Sequence, residues 1–253
     1  MSYLIETKGL IKIFRPSLFF KRKQTIALNN VNLQVKEGEL FVLVGQNGAG
    51  KTTLLKILCG LILPTSGKVY INGGNIFNNR SCFRKKIGFV SGEERSFYWR
   101  LTGKQNLEFF GRLYDLSKKE IYQKINELVE IMALKEEINK QFRHFSAGAK
   151  QRLALVRALL HNPLIIFMDE PTRSLDPLAQ NKLREFIKNK LVKEDKKTLF
   201  ITTHNLNEAE FLADRLAIIE KGQIKVCGTL DELRIQFNTN KLEEIYGNIV
   251  ELV

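Results

Sequence analysis

Eight consecutive residues, Gly45-Gln46-Asn47-Gly48-Ala49-Gly50-Lys51-Thr52, fit the pattern G-x-x-x-x-G-K-[ST] at every fixed position. In that pattern the glycines let successive N–H groups turn toward an anion. The lysine reaches the outer oxygens of a polyphosphate, and the hydroxyl ligates Mg²⁺. Thr53 continues the same row of donors. A second stretch, "LIIFMDE", ends an apolar run in Asp169 and Glu170. Carboxylates at the end of a strand beside such a loop suit two jobs: Asp169 holds Mg²⁺, directly or through water, and Glu170 polarises an attacking water. A third stretch, "FSAGAKQR" at 145–152, sets small residues ahead of a helix, so it too can aim N–H groups at an anion.

Positioning these residues takes an α/β framework. Short apolar runs at 39–45, 68–73, 86–90, 164–168, 198–202 and 216–220 read as strands alternating with helices. The first leads into the glycine-rich loop, and "KTTLLKILCG" leaves it as a helix ending at Gly60. From about 102 to 160 there are helix signals and no strand, with capping-box spacing at Thr102/Gln105 and Ser117/Glu120. Asp176-Pro177 starts a further helix, and Thr229/Glu232 another. The division expected is a core from 1–90 and 162–235, a helical lobe over about 91–161, and a tail at 236–253, either an amphipathic helix or an edge strand.

The composition fits this frame. Hydrophobic residues are 44% and charged residues 26%, an ordinary folded mix. No apolar run approaches the roughly 18 residues a bilayer span needs, and the N-terminus lacks the form of a secretory signal. The cysteines Cys59, Cys82 and Cys227 have neither zinc nor disulfide spacing, as expected of reduced cytosolic thiols. Forty Lys+Arg against 27 Asp+Glu leave +13, which attracts nucleic acid, anionic lipid or nucleotide phosphates, or simply solvates the surface.

"GQNGAGKTT", "FSAGAKQR", "LIIFMDEPTRSLDP" and "ITTHNLNEAE" stand in the order found in ABC-type ATPase subunits, and the resemblance runs from about residue 4 to 235. In wording the chain is most similar to the subunits of ABC-2-type exporters. The resemblance implies a P-loop NTPase (RecA-like) core with an inserted helical subdomain and an N-terminal antiparallel β portion. It implies ATP and Mg²⁺ as ligands and a head-to-tail dimer, with itself or a related ATPase subunit. It further implies a separate polytopic transmembrane permease, and a place in the cytoplasm on the inner face of the cell membrane. Nucleic acid is not an expected partner, since the family members that act on ribosomes or DNA join two ATPase units or carry a long coiled coil. Intact Lys51, Asp169, Glu170 and His204 speak against a merely regulatory ATP-binding module.

By the same resemblance, Gly45 to Thr53 hold ATP, and Phe145, Ser146, Ala147, Gly148 and Ala149 cap the ATP of the partner chain. Ser174, Leu175 and Asp176 form the loop crossing the dimer interface, and His204 contacts the γ-phosphate. Phe14 is the aromatic expected on adenine, with Phe19 and Phe20 as rivals in the same loop. Two departures stand out. Where the family has a metal-contacting Gln after the strand "IGFV", this chain has Glu93 by register, with Gly92 and Glu94 as rivals. A carboxylate there binds metal more strongly but repels a phosphate about 4 Å away by roughly 4 kcal/mol at an effective dielectric near 20. The signature also has Ala147 and Ala149 where Gly and Gln are common. Finally, Phe97, Tyr98 and Trp99 either pack the helical lobe or line the groove that receives a short helix of the membrane partner. The basic-aromatic stretch at 17–24 is either a solvated hairpin tip or a patch near lipid headgroups.

Overall fold

The computed structural model describes residues 3–15, 24–78, 83–91, 97–173 and 175–251. Strands β1 (Ile5–Phe14), β2 (Thr25–Val35), β4 (Ser66–Ile71) and β5 (Gly74–Asn75) form an antiparallel sheet in the order β2-β1-β4-β5. The candidate strand 68–73 overruns its observed end by two residues. Asn72 and Gly73 take positive φ (50° and 73°) and close a tight hairpin into β5, the backbone such two-residue turns require.

The central sheet runs β10-β9-β3-β8-β7-β6, from β3 (Leu40–Val44), β6 (Ile87–Val90), β7 (Ile165–Asp169), β8 (Thr198–Thr203), β9 (Arg215–Glu220) and β10 (Gln223–Gly228). All neighbours pair in parallel except β10 with β9. Both faces are covered, which is why these strands read as continuous apolar runs. Phe41, Leu43, Phe167, Phe200 and Ile219 enter the core shared with the antiparallel sheet and with α1 (Lys51–Leu58). Val42, Val44, Met168, Ile201 and Ile218 enter the other core, alternating by the two-residue period of a strand.

Among the described residues three α-helices lie between β6 and β7 in the chain, α2 (Gly103–Leu113), α3 (Lys118–Ile131) and α4 (Ala147–Leu159), with a 3₁₀ turn at Phe142–His144 before the last. Both expected capping boxes are present. Thr102 Oγ1 accepts from Gln105 N at 3.1 Å while Gln105 Oε1 accepts from Thr102 N at 2.9 Å, and Ser117 and Glu120 repeat the exchange. Thr102→Ala is expected to lower stability by about 1 kcal/mol, read as a lower urea midpoint at unchanged m-value; an unchanged midpoint would show that the box contributes nothing.

Further described helices are α5 (Pro177–Glu185), which continues as a π-helical stretch over Phe186–Glu194, then α6 (Leu206–Leu212), α7 (Leu230–Phe237) and α8 (Leu242–Glu251). The tail is thus a helix. Leu242, Ile245 and Ile249 are buried at helical spacing, which an edge strand would split between two faces. No described helix is long and apolar enough to cross a membrane.

Candidate active site

Parallel pairing brings three strand ends to one edge of the sheet. Val44 lies beside Thr203, and Asp169 beside Thr202, so Gly45, Glu170 and His204 all leave the sheet at the edge where open α/β sheets bind ligands. The loop from Gly45 to Gly50 is held to this edge by Gly45 N donating to Thr203 O, and by Gly222 N donating to Ala49 O at 2.9 Å. Gly50 must be glycine on two counts: its φ is +109°, and a Cβ would lie 2.5 Å from the Ala27 carbonyl. It starts α1 with no side-chain cap, which leaves the helix N-terminus directed at the cavity for an anion.

Lys51 is buried, and its ammonium donates to Gly45 O at 2.7 Å and Gln46 O at 3.0 Å. Burial pulls its pKa below the ordinary lysine value, while the charges of Glu170 and Asp169 pull the other way. Asp169 accepts from Thr52 Oγ1 at 2.8 Å through one oxygen and from Thr202 Oγ1 through the other. Glu170 has a left-handed backbone, φ 49°, with its N–H donating to Thr202 O at 2.9 Å. Such a conformation costs a glutamate on the order of 1 kcal/mol or more and tends to occur at functional positions. Its Oε1 lies 3.1 Å from His204 Nδ1 and 3.6 Å from Lys51 Nζ. Its Oε2 is buried without a hydrogen bond, with Arg173 Nη1 at 3.6 Å. The Thr52 hydroxyl and the Asp169 carboxylate form a hard-oxygen pair that fits a Mg²⁺ ion completed by phosphate and water, and the unsatisfied Glu170 oxygen is left for an attacking water.

These groups line a cavity of about 500 Å³ with Asn47, Gly48, Gly50 and Thr53. Gly45 and Ala49 are buried beneath the loop, and Gln46 is exposed. Phe14 is 44% exposed, with Lys12 Nζ 5.0 Å from its ring centroid, and it pairs across strands with Thr25, which lines the cavity. Its rivals Phe19 and Phe20, and Glu93, Gly92, Glu94 and Ser174, lie outside the described residues. Sequence reasoning missed Thr25, Ile26 and Ala27, which form one wall from β2, and Ser91, which follows β6 on the floor. Arg173 was also missed, although its place three residues after Glu170 signals a possible ion pair.

Ser146 caps α4, its Oγ accepting from Ala149 N at 3.2 Å. Phe145 and Ala149 are buried, and Ser146 and Ala147 are exposed; none of Phe145 to Ala149 lines the cavity. Gly148 lies against Leu175, and a Cβ there would meet Leu175 Cδ2 at an ordinary 3.5 Å. Asp176 caps α5 as expected, accepting from Ala179 N at 2.9 Å, and is exposed. Of the aromatic cluster, Phe97 is buried and stacks on Phe142 at 4.6 Å, which in turn lies 5.7 Å from Phe145. Tyr98 and Trp99 are about half exposed. A second cavity, of about 510 Å³, is walled by Leu61, Phe110, Leu113, Arg84 and Arg157, with the Arg157 guanidinium over both the Phe97 and Phe110 rings.

Residues 28–173 match the family model described as ABC transporter. The chain is 34% identical over 226 residues to the ABC transporter ATP-binding protein NatA of Bacillus subtilis, covering 89% of this chain and 91% of that protein. It is 38% identical over 224 residues to the bacitracin transport ATP-binding protein BcrA of Bacillus licheniformis, covering 88% and 69%. Among solved structures, a dimeric ATP-binding cassette in a post-hydrolysis state bound to ADP and Pi superposes with a TM-score of 0.80 at 31% identity, covering 89% of this chain and 98% of that one. An ATP-binding subunit of an ABC transporter gives 0.83 at 30%, covering 98% and 99%. A cavity of phosphate-directed amides, buried lysine and paired carboxylates accords with these matches, and the chain is an ATPase that belongs to the ABC transporter family.

Proposed function

We propose that two copies of this chain, or one copy and a related subunit, close head to tail around two ATP molecules. Each nucleotide then lies in the cavity of one chain and under the Ser146–Ala149 loop of the other. One observation carries this reading: the capped N-terminus of α4 is exposed and lies outside the chain's own P-loop cavity. A helix start that can face an anion and lies outside the cavity of its own chain fits a phosphate brought by a neighbour. Leu175, packed beside Gly148, and exposed Asp176 sit on the same interface, and Phe14 and Ile26 flank the adenine at the cavity rim.

In the closed dimer Glu170 takes the proton of the attacking water. His204 orients that water and the γ-phosphate. The 3.1 Å separation of His204 Nδ1 and Glu170 Oε1 requires a hydrogen between them. Nδ1–H donates to Oε1 throughout, and the proton of the water goes to Oε2, the oxygen that carries no hydrogen bond. Lys51 leaves the Gly45 and Gln46 carbonyls for phosphate oxygens. Mg²⁺ held through Thr52 and Asp169 supplies charge neutralisation of the transferring phosphoryl group.

The work of closing and reopening passes to a separate transmembrane permease on the inner face of the membrane. The groove walled by Phe110, Leu113, Arg84 and Arg157, together with half-exposed Tyr98 and Trp99 elsewhere on the helical lobe, is the surface we assign to it. Large aromatics and Arg are the residues that anchor interfaces. Export is the direction we assign, from the resemblance to ABC-2-type exporter subunits.

The test traps the closed state. Glu170→Gln with ATP is expected to double in mass by light scattering. Adding Gly148→Asp, which the fold has room for, is expected to keep it monomeric, because a carboxylate about 4 Å from a γ-phosphate costs roughly 4 kcal/mol. In detergent extracts the trapped protein is expected to carry a polytopic membrane protein in near-equal amount. Ribosomes or DNA in its place would overturn the transporter reading, and ATP-independent mass would overturn the sandwich.

A further inference from the structure

A buried carboxyl group lies one layer behind the Glu170–His204 pair, within the stretch "ITTHNLNEAE" but with no role assigned to it by the resemblance. Glu208, on α6, is 1% exposed. Its Oε1 accepts from Thr172 Oγ1 at 2.8 Å and its Oε2 from Thr203 Oγ1 at 2.6 Å. Thr172 is two residues beyond Glu170, in the turn that leads toward Asp176, and Thr203 immediately precedes His204. One side chain thus ties together the two segments that carry the pair.

The surroundings make this a rigid strut. Glu208 N donates to Asn205 Oδ1 at 3.1 Å, and its neighbours Ala209 and Leu212 are fully buried, so α6 cannot rotate freely. The Thr203 hydroxyl also accepts from Asn205 N at 3.0 Å, which fixes the backbone on both sides of His204. The Thr172 turn is held from two more directions: Gln151 of α4 donates to Pro171 O at 3.0 Å, and Gln180 of α5 donates to Thr172 O at 3.3 Å and to Leu175 O at 3.0 Å. A buried carboxyl is retained only where its oxygens are satisfied, and here both are satisfied by hydroxyls of the two catalytic segments.

We infer that Glu208 is a positioning residue for hydrolysis: it sets the register between Glu170 and His204, acting on ATP turnover without touching ATP. The inference depends on reading Glu170 and His204 as the hydrolytic pair. It predicts a loss confined to the chemical step, since a displacement of about 1 Å at the reacting groups costs about 100-fold in rate while the phosphate-binding loop is left in place.

The test is a double-mutant cycle on the full chain, reading phosphate release against ATP concentration. Glu208→Ala is expected to lower kcat by about 10- to 100-fold with KM for ATP within about twofold. Glu208→Gln, whose amide keeps both contacts once one hydroxyl reverses its role, is expected to retain most activity. Combined with His204→Ala, Glu208→Ala is expected to add little further loss, because residues acting as one unit are not additive. Thr172→Val, which is isosteric, serves the same cycle should Glu208→Ala fold poorly. Losses that multiply in the double variant, or a fall in ATP affinity that accounts for the loss, would overturn the inference and leave Glu208 a plain buried polar residue. His204→Ala and Glu170→Gln alone report on the pair itself: full hydrolysis by both would refute that reading, independently of Glu208.

Discussion

Glu170→Gln is expected to bind ATP at least as tightly as the natural chain and to release phosphate about 100- to 10,000-fold more slowly, the range a positioned general base supplies. The cavity contains two carboxylates on the substrate side, Asp169 and Glu170. Both oxygens of Asp169 already accept from Thr52 and Thr202, whereas Glu170 keeps a buried oxygen without a hydrogen bond. A base needs such an available lone pair facing the water. Replacing the carboxylate by an amide also removes a negative charge from the neighbourhood of the γ-phosphate, so binding should not suffer. The variant keeps the same left-handed backbone, because glutamine meets the same steric cost there. Steady-state phosphate release and a fluorescent-nucleotide titration separate the two quantities. Hydrolysis at the natural rate would move the base elsewhere, and weakened binding would mean that Glu170 holds the substrate.

The second large effect belongs to Lys51. Lys51→Ala should lose ATP binding by about 100-fold or more, since a charged hydrogen bond to phosphate contributes up to about 3 kcal/mol. The fold should tolerate the change, because the buried ammonium is costly to desolvate. A shift in Tm within about 4 °C, what 1 kcal/mol gives in a chain of this size, would fit. Loss of both binding and folding would instead make Lys51 a structural clip for the Gly45 and Gln46 carbonyls. The same group sets a pH dependence. Its folded pKa lies below 10.5, chiefly through burial. The burial penalty is therefore present at neutral pH and is relieved as pH rises from the folded value toward the unfolded one. ATP affinity runs the opposite way: it needs the ammonium, so it falls as pH climbs through the lowered pKa. The Lys51→Ala variant should show no such alkaline limb.

Reading the sequence found the chemistry and left much of the geometry unseen. The phosphate loop, Asp169, Glu170 and His204 are contiguous with apolar strand runs, and one parallel sheet edge collects them because strand ends and motifs coincide. The capping boxes were equally legible, since a cap is a local matter of spacing. By contrast the ranges of β1 and β2 were not read from the residues, and only the resemblance implied an antiparallel β portion at the N-terminus. Their pairing is shifted at several points and Asn30 takes φ 56°, so the two-residue alternation that marks a strand is broken. That is why Thr25, Ile26 and Ala27 were not seen as a wall of the site. Glu208 was invisible for another reason: a glutamate one turn into a helix reads as solvent-facing until the two threonines that surround it are brought together from 31 residues apart in the chain. The aromatic cluster divided between its two readings, since Phe97 faces the interior while Tyr98 and Trp99 do not.

The left-handed backbone at Glu170 sets stability against turnover at a single position. Glycine would adopt φ near 49° freely and relieve on the order of 1 kcal/mol, and it would also remove a buried, partly unsatisfied carboxylate. A lineage selected only for a sturdier protein would therefore drift away from glutamate at this site. In the mechanism proposed above, glutamate holds this strained position for the sake of the hydrolysis rate and at a cost in stability.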